Sequence, residues 1–331
     1  MSVMIDFEKS SFFRRKEYIS LYLRDGESIF EFEFVEGDQY FYHVAIKKPI
    51  LEVDGQLVKE EWYDLETPYG YGGYLTNSKD EAFLKKALTQ YQQKCRDESI
   101  IAEFLRFNPN NSFLPDFREL MKFCFQERTV VEVDLTRSYE AIFKEINPKL
   151  GRVIRKSIKN GVEVIVNDSS QENREIFRDL YYQTMEKNRA DQFYFFDQSY
   201  FEGMFQMSGL KLFTAVHEGN VIGGITIIED EDRVYYHLGA TSPDHYHLNP
   251  NTLLLVEAIK AYSEKMEGFV LGGGTSPDTE DALFKFKKKF GNVLKPFYIA
   301  GNIFNQQVYD SLCGMLSEEK QKLRYILKYR F

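Results

Sequence analysis

A lysine near the end of the chain occupies a position that favours chemistry. Residues 282–290 contain four lysines among apolar and aromatic residues. On a helical wheel with about 100° per residue, Lys287 lies within about 60° of Leu283, Phe284 and Phe290, while two of the other lysines point to the opposite side. A lysine on an apolar face is either a positioned charge with a shifted pKa or a side chain that snorkels to water. Lys287 is therefore the first candidate catalytic residue.

The residues in front of this helix predict a strand that ends in a sharp turn. Residues 268–271 are apolar and are typical of a short buried strand, and three glycines follow, which include Gly273 and Gly274. Glycine lets the backbone turn sharply or lets another molecule approach closely. Gly291 supplies an end signal for the lysine-rich helix. Gly273 and Gly274 are thus candidate substrate-binding residues beside Lys287.

A second group of candidates is basic. Residues 138–160 predict a strongly basic helix, on which Arg152, Arg155 and Lys156 fit a diphosphate or a nucleic-acid backbone. A solvated, charged helix face explains this pattern equally well. Arg189 is predicted near the end of a later helix, where its charge either binds the phosphate of a precursor or favours the helix dipole.

Two tyrosine-containing segments complete the candidate set. Tyr71, Gly72 and Gly73 belong to a glycine–tyrosine loop, which either lines an acceptor cleft or forms a plain tight turn. Tyr236 lies in a predicted three-stranded meander, where it belongs to the core or contacts a ligand. Both segments are retained as candidate substrate-binding positions.

Metal and thiol chemistry are not indicated. His245 and His247 are two residues apart in a loop rich in proline and asparagine, with neither a cysteine partner nor an HExxH motif. Cys95, Cys124 and Cys313 are odd in number and have no recognisable spacing. This usage is typical of reduced thiols in a cytoplasmic protein. The sequence predicts no metal site.

The composition describes an acidic, aromatic, globular protein. A length of 331 residues favours two domains, and 43% apolar with 16% aromatic residues argues against extended disorder. The net charge of −9 argues against broad nucleic-acid binding, so DNA is not expected as a partner, although a local basic patch can still hold a phosphate. Neither an 18-residue apolar run nor a secretory signal is present, which predicts a cytoplasmic protein without a transmembrane segment. Peripheral proximity to a membrane stays open.

The predicted elements place two similar domains in tandem. Alternating apolar residues predict a hairpin over residues 29–53, and further strands are predicted at 100–107 and 130–135. The second half reads strand, helix, helix, meander, helix, strand, helix, strand, which indicates an α+β fold with a mostly antiparallel sheet. We place the boundary so that the domains are residues 1–147 and 148–331, with a C-terminal tail that is able to pack back on the first domain.

Several stretches together resemble the FemAB-like transferases. The match covers nearly the whole chain in order, and its stretches are residues 271–274 with 281–291, 69–73, 101–109, 134–135 with the basic helix up to Gly161, and 235–240. The resemblance implies two tandem GNAT-like acyltransferase domains, each a mostly antiparallel mixed sheet flanked by helices. The faint internal repeat of a double glycine followed by a Glu/Asp-Ala segment, at Gly72 and at Gly273, favours the same arrangement.

The resemblance also implies a reaction. Better-known members of the family transfer an amino acid from aminoacyl-tRNA to the peptide amine of a peptidoglycan precursor, and others in the wider superfamily use acyl-CoA to modify sugars or polysaccharide precursors. No bound cofactor is implied, because the donor is a co-substrate. The Phe286–Lys287 pair is implied to stabilise the acyl carbonyl or the ribose–phosphate end of the tRNA. Expected partners are a nucleotide- or lipid-linked envelope precursor and, as a candidate, tRNA.

Two departures keep alternatives open. The sequence has no long charged heptad pair for the helical arm of some family members. The loop before the helix predicted at 252–265 lacks a glycine-rich pyrophosphate cradle, which weakens the case for acetyl-CoA as the donor. One alternative is an acyl-CoA-dependent N-acyltransferase that acts on an amino sugar or a polysaccharide precursor. The other is a catalytically silent scaffold in envelope assembly.

Overall fold

The chain forms two compact units. The computed structural model of the protein describes residues 11–111, 113–145, 148–168 and 170–331. The first unit consists of the described residues up to Glu127 together with Phe297–Phe331, and the second unit is Arg128–Pro296. The second unit contains the lysine-rich helix and the strand that precedes it.

Both units combine strands with helices. The strands are β1 (Ser28–Glu36), β2 (Gln39–Pro49), β3 (Glu52–Val53), β4 (Gln56–Leu57), β5 (Tyr63–Glu66), β6 (Leu75–Thr76), β7 (Ile100–Arg106), β8 (Phe123–Asp134), β9 (Val162–Ile165), β10 (Leu210–His217), β11 (Asn220–Asp230), β12 (Arg233–Thr241), β13 (Gly268–Gly272) and β14 (Val293–Ile303). The α-helices are α1 (Lys16–Ser20), α2 (Glu81–Asp97), α3 (Leu114–Phe117), α4 (Tyr139–Glu145), α5 (Pro148–Lys159), α6 (Gln171–Lys187), α7 (Gln198–Gln206), α8 (Pro250–Tyr262), α9 (Ala282–Lys287), α10 (Gln306–Gly314) and α11 (Glu318–Gln321). Within the described ranges, no helix has the length and apolar character needed to cross a lipid bilayer.

The first unit is a mixed sheet with the strand order β1-β2-β5-β7-β14. The predicted hairpin is formed by β1 and β2, which pair Glu36 with Gln39, and Gly37 adopts a φ of +67° in the turn. β5 and β7 run parallel, and α2 lies in the connection between them. Leu105 of β7 packs in one core cluster with α2, whereas Phe104 packs with α10, so the two helices cover opposite faces of this strand.

The second unit has the strand order β8-β13-β12-β11-β10-β9. Its strands are antiparallel except for β12 and β13, which run parallel and are connected through α8. α5 and α8 pack on one face, in the core cluster that contains Ile225. On the opposite face, Gly224 leaves room for Phe177 of α6, because a Cβ at this glycine would lie 2.8 Å from the Phe177 ring. Because α8 packs on this sheet, its first turn lies beside β12.

The division into units differs from the boundary that the sequence suggested at residues 147 and 148. Val131–Asp134 of β8 pair with Gly268–Gly272 of β13, so residues 128–145 lie in the second unit rather than in the first. The single basic helix expected over 138–160 is instead α4, which ends at Glu145, and α5, which begins at Pro148. Residues 146 and 147, where the boundary was expected, lie outside the described residues.

The core of the first unit encloses a carboxylate. Glu103 of β7 is fully buried and accepts hydrogen bonds from the hydroxyls of Tyr74 and Tyr91 and from Nδ2 of Asn302, the last at 2.7 Å. Burial raises the pKa of Glu103 to about 7 in spite of these three donors. The polar network therefore ties β7, α2 and β14 together in the interior.

A second buried carboxylate holds the end of the chain. Asp64 of β5 is fully buried, and Nε of Arg330 donates a hydrogen bond to its Oδ2 at 2.9 Å. The same guanidinium donates to the carbonyl oxygens of Pro49 and Lys48 at 2.8 and 3.0 Å. Burial raises the pKa of Asp64, and the charge of Arg330 opposes that rise. Arg330 thus compensates a buried negative charge.

We predict that Arg330→Ala destabilises the protein by about 2–3 kcal/mol at pH 8, because Asp64 would lose its cationic partner. The loss stays below that of a fully buried pair, since the Arg330 side chain is 26% exposed. Urea unfolding monitored by circular dichroism measures the change. The effect should shrink as the pH falls, because burial raises the pKa of Asp64 and the carboxyl is then able to take up a proton instead of remaining as an unpaired anion.

Lys328→Ala is the matched control, because it removes one positive charge from the same segment. The Lys328 ammonium contacts only the exposed carbonyl of Gln321 in the described structure, at 2.8 Å. Its loss should change stability by less than about 0.5 kcal/mol. Equal losses from the two substitutions would show that the ion pair with Asp64 is not what holds this segment.

Candidate active site

A cleft opens where the parallel strands β12 and β13 separate. Their pairs run from Arg233–Gly268 to Tyr235–Val270, whereas β12 continues to Thr241. A cleft of about 250 Å³ lies beyond the last pair. Its walls are formed by β12, by the loop before α8 and the first turn of that helix, and by β13 and α9. The cleft thus lies between the two strands, where a substrate can reach their backbone.

A β-bulge directs Tyr236 into this cleft. Ile225 of β11 pairs with Gly239, but Ile227 pairs with Tyr236, so two residues of β12 lie opposite Thr226. The hydroxyl of Thr226 accepts a hydrogen bond from the backbone N–H of Leu238 at 3.0 Å, which satisfies the bulged backbone. The Tyr236 side chain crosses over Gly239, where a Cβ would lie 1.9 Å from the tyrosine hydroxyl. Gly239 is therefore required for the orientation of the tyrosine.

Asp281 fixes the loop between β13 and α9. Its carboxylate caps the helix by accepting the Phe284 N–H at 2.9 Å, and it also accepts the backbone N–H and the hydroxyl of Thr275. These hydrogen bonds lower the pKa of Asp281 to about 2. Gly274 passes so close that a Cβ there would lie 2.4 Å from Asp281 Oδ1. The glycines of this loop are thus required by packing within the protein.

The same loop receives two basic side chains. Nη1 of Arg128 donates to the carbonyl oxygen of Gly274 at 2.6 Å, and Nζ of Lys287 donates to the carbonyl oxygen of Gly273 at 2.9 Å. A Cβ at Gly273 would lie 2.8 Å from the Arg128 side chain. The two carbonyls therefore hold Arg128 and Lys287 on the same loop, and of these two Lys287 lines the cleft.

Lys287 is the charged residue whose environment is most unusual. Its side chain lines the cleft but is only 8% exposed, and Nζ lies 5.4 Å from the centre of the Tyr236 ring. Burial, together with repulsion by Arg128, lowers the pKa of Lys287 to about 7, although Asp281 acts in the opposite direction. Lys287 therefore changes its charge near neutral pH.

The wheel prediction for this helix is confirmed in part. Phe284 and Phe290 are buried beside Lys287 as expected, and the three other lysines of the segment are exposed. Leu283, in contrast, is 37% exposed and contributes to the wall of the cleft. The adjacent Phe286 also lines the cleft, so the structure brings the predicted Phe286–Lys287 pair together with Tyr236.

The start of α8 forms the opposite wall of the cleft. Asn249 adopts a φ of +56°, and Pro250, which has no N–H, begins the helix. The N–H of Thr252 donates to the carbonyl oxygen of Asn249 at 3.1 Å. Within the described residues, neither Oδ1 of Asn251 nor the buried hydroxyl of Thr241 has a hydrogen-bond partner. Both residues line the cleft. The Thr241 hydroxyl is able to donate to an oxygen atom of a bound group, whereas Asn251 Oδ1 is able to accept from an N–H or O–H of a bound group.

Several residues of the cleft were not singled out from the sequence. Thr241, Tyr246 and Asn251 line it, and Nζ of Lys187, the last residue of α6, lies 3.5 Å from the centre of the Tyr246 ring. The Asn-Pro-Asn sequence before α8 indicates a helix start and could have directed attention to Asn251. No sequence signal marks Thr241, because its position depends on the separation of two strands.

The other predicted site residues lie elsewhere. Arg152 and Arg155 are exposed on α5, and Arg189, with a φ of +49°, is exposed just after α6. Tyr71, Gly72 and Gly73 belong to the first unit. The structure therefore brings Lys287, Phe286, Tyr236, Gly273 and Gly274 together, and the roles of the remaining candidates stay predictions.

Packing explains the two glycines of the first unit. A Cβ at Gly73, whose φ is +85°, would lie 2.4 Å from the Phe107 ring, and a Cβ at Gly72 would lie 2.9 Å from the Thr67 side chain. The Tyr71 ring packs edge-on against Phe13 and Phe297 at centroid distances of 5.4 and 5.9 Å. The glycine–tyrosine loop is thus an internal packing element of the first unit.

The histidines of the second unit make protein contacts. Nε2 of His237 lies 2.8 Å from the Tyr200 hydroxyl, and burial lowers the pKa of His237 to about 3. Nδ1 of His245 lies 2.9 Å from the Ser242 hydroxyl. In the part of the chain that the structure describes, no group of three or more histidine, cysteine or acidic side chains is arranged to hold a metal ion.

Comparisons with known proteins bear on this geometry. Residues 149–287 match the family described as an acetyltransferase (GNAT) domain, a range that contains the separated strands, α8 and Lys287. No curated protein sequence matches the chain. The crystal structure of FemX is similar at 14% identity, with a TM-score of 0.72, over 92% of this chain and 96% of that one.

Two further solved structures share the fold. The C-terminal domain of a putative lysylphosphatidylglycerol synthetase from Agrobacterium fabrum is 14% identical, with a TM-score of 0.53, over 84% of this chain and 85% of that one. L-PGS from Bacillus licheniformis is 12% identical, with a TM-score of 0.51, over 82% of this chain and 84% of that one. The predicted α+β fold of tandem GNAT-like domains and the resemblance to FemAB-like proteins are confirmed at the level of fold. The GNAT match confirms that the chain is a transferase of the acyltransferase type.

We predict that Gly239→Ala damages the cleft more than it damages the fold. The new methyl group would force the Tyr236 ring away from its position near Lys287, at a cost of about 1–3 kcal/mol in stability. Thermal unfolding and equilibrium binding of a donor substrate measure the two effects. Gly314→Ala is the matched control, because a Cβ there would meet no atom within 4 Å. If Gly239→Ala bound the donor as tightly as the wild type, the assignment of Tyr236 to the wall of the donor-binding cleft would be contradicted.

Proposed function

We propose that the protein transfers an amino acid from aminoacyl-tRNA to an amine of a peptidoglycan precursor or another cell-envelope precursor and so forms an amide bond. The observation that carries the proposal is the buried Lys287 amine at the base of a cleft between separated strands of a GNAT-like domain. The FemAB-like signature of this chain and its likeness to FemX support the aminoacyl branch of the acyltransferases.

The reaction requires three things of the cleft. The acceptor amine attacks the ester carbonyl carbon, the new C–N bond forms, and the carbonyl electron pair moves to oxygen. Collapse of this intermediate breaks the ester C–O bond, and the departing ribose oxygen takes the proton that the amine has lost. The site must therefore align both reactants, stabilise the oxyanion and pass one proton.

Lys287 is assigned to the oxyanion. One N–H of its ammonium group is directed to the Gly273 carbonyl oxygen, which leaves two further hydrogens for the acyl oxygen. The side chain is held between this carbonyl and the Tyr236 ring, so little reorganisation is needed when charge develops. The low exposure of Lys287 strengthens its interaction with the oxyanion, because little water screens it.

The start of α8 favours a second candidate function. The first turn of α8 lines the cleft, and the dipole of a helix N-terminus favours an anion such as the diphosphate of an acyl-CoA. Under this alternative the protein is an acyl-CoA-dependent N-acyltransferase that acts on an amino sugar or a polysaccharide precursor. The absence of glycines at residues 246–251 disfavours a backbone cradle of the usual kind.

The two functions are separated by a donor test on the purified protein with an extract of envelope precursors. One reaction contains a pool of labelled aminoacyl-tRNA and the other contains labelled acetyl-CoA, and the readout is label in an alkali-stable amide. We expect label from tRNA only, and its loss after ribonuclease treatment. Label from acetyl-CoA alone would assign the second function instead.

Lys287 gives a sharper prediction for the chemistry. In the wild-type protein, log kcat/KM should change slope near pH 7, where Lys287 loses its proton. Lys287→Met should lose transfer by about 100-fold or more at every pH, as for other oxyanion donors. Lys287→Arg keeps a cation at all pH values, so it should retain part of the activity without the break near pH 7. A break that persists in the arginine variant would assign the titration to another group.

Lys287→Met is expected to increase the stability of the protein at low pH, although it is expected to reduce activity. Burial lowers the pKa of Lys287 from 10.5 in the unfolded chain to about 7 in the fold, so the charged form destabilises the native state. This penalty is complete below pH 7 and disappears as the pH rises to about 10. Lys287→Met should therefore unfold at a higher urea concentration than wild type at pH 6, with the difference lost near pH 10. A destabilised variant at pH 6 would show that Lys287 has a structural role.

A further inference from the structure

An exposed arc of positive charge runs along α5. At about 100° per residue, Lys149, Arg152, Arg155, Lys156 and Lys159 fall within an arc of about 120° on this helix, and all five are exposed. The opposite side of the helix is buried in the core of the second unit through Leu150 and Ile154. The arc spans about 15 Å along the helix axis.

Four of the cations of this arc have no acidic partner among the described residues. Among the described residues, Arg152, Arg155, Lys156 and Lys159 form no ion pair, whereas many other basic side chains of the chain do. The protein as a whole carries a net charge of −9. Like charges on one helix face repel each other and lower helix stability. A concentration of four such cations in an acidic protein therefore indicates a surface that binds an anion.

The position of α5 connects this arc to the cleft. The hydroxyl of Ser157 donates a hydrogen bond to the carbonyl oxygen of Leu248 at 2.6 Å, and the next residue, Asn249, lines the cleft. The last turn of α5 is thus fixed beside the loop that forms one wall. A long polyanion that lies on the arc can place its end at the cleft.

The chemistry of the arc favours a phosphodiester backbone over a membrane. Helices that dock on membranes combine cations with apolar side chains that enter the lipid. The exposed apolar residue of α5, Ile158, lies about 60° outside the arc. Arginine and lysine without interspersed apolar residues instead match the phosphates of a nucleic acid, which are contacted independently of sequence.

We infer that the basic arc of α5 (Lys149, Arg152, Arg155, Lys156 and Lys159) is a docking surface for the phosphodiester backbone of an RNA donor, whose acylated end reaches the cleft. The inference rests on the proposed function, because the RNA is the carrier of the transferred group. It assigns the cations of α5 to holding the body of the donor, and it leaves the chemistry to Lys287.

The test compares Arg152→Gln/Lys156→Gln with Lys59→Gln/Lys322→Gln. The control pair removes the same charge from exposed lysines of the first unit. Fluorescence anisotropy with uncharged, labelled tRNA measures affinity between 50 and 200 mM salt. The arc variant should bind about 10–100-fold more weakly at low salt, and its slope of log K against log salt should fall by about 1.4–1.8, as expected for two lost phosphate contacts. Equal tRNA affinities for the two variants would overturn the inference.

Transfer assays separate this inference from the proposed function. With aminoacyl-tRNA, the arc variant should lose kcat/KM by about the factor measured for binding. With an aminoacylated dinucleotide, which is too short to reach along α5, both variants should match wild type. Absence of transfer from either donor in the wild type would reject the proposed function, and the tRNA affinities would still decide the role of the arc.

A vesicle-binding experiment tests the alternative that the basic arc binds an anionic membrane. Vesicles of phosphatidylcholine with 30% phosphatidylglycerol are sedimented with each variant in the absence of RNA. We expect no difference between the arc variant and the control. Vesicle binding that depends on Arg152 and Lys156, with unchanged tRNA affinity, would reassign the surface to anionic lipid and overturn the inference.

Discussion

The burial of one amine is the physical constraint around which the cleft of the second unit is built. Lys287 is held by the Gly273 carbonyl oxygen at 2.9 Å in a place that lowers its pKa to about 7. Such a group is costly to bury, so the surrounding fold must determine its position. Asp281 provides this control, because its carboxylate both caps α9 and holds the loop whose carbonyl receives the amine. The charged form of Lys287 therefore lowers the stability of the fold, and the hydrogen bonds of Asp281 keep the loop around it in place.

The sheet itself makes room for a substrate in two ways. β12 and β13 stop pairing after Tyr235 and Val270, which leaves backbone and side chains of β12 accessible from the cleft. The bulge opposite Thr226 then directs Tyr236 over Gly239 and towards the amine. Both features are departures from regular pairing, and they occur where the cleft forms. Regular strands would have paired throughout and left no space for an acyl group.

Local patterns were sufficient for much of the fold. The hairpin of β1 and β2, the meander of β10 to β12 and the buried face of α9 all follow from short-range periodicity. Lys287 was accessible to the same reasoning, because its buried neighbours Phe284 and Phe290 lie within one turn of it. The position of β8 could not be predicted from such local patterns, because its pairing with β13 joins segments more than 130 residues apart. Thr241 and the bulge opposite Thr226 were missed for the same reason, because they depend on the register between strands.

The faint repeat between the two halves shows what separates a packed helix from a reactive one. Aligning Glu81-Ala82 with Asp281-Ala282 places Ala87 at the position of Lys287. Ala87 is fully buried in the core of the first unit, and the lysines of α2 that precede it are exposed. The first unit instead buries the carboxylate of Glu103, which its own tyrosines and Asn302 satisfy completely. The oxygens of Glu103 are occupied by these donors within the core, whereas Lys287 lines a cleft, where a substrate is able to reach it. Because the first unit has no amine at the equivalent position, we expect the transfer chemistry to reside in the second unit.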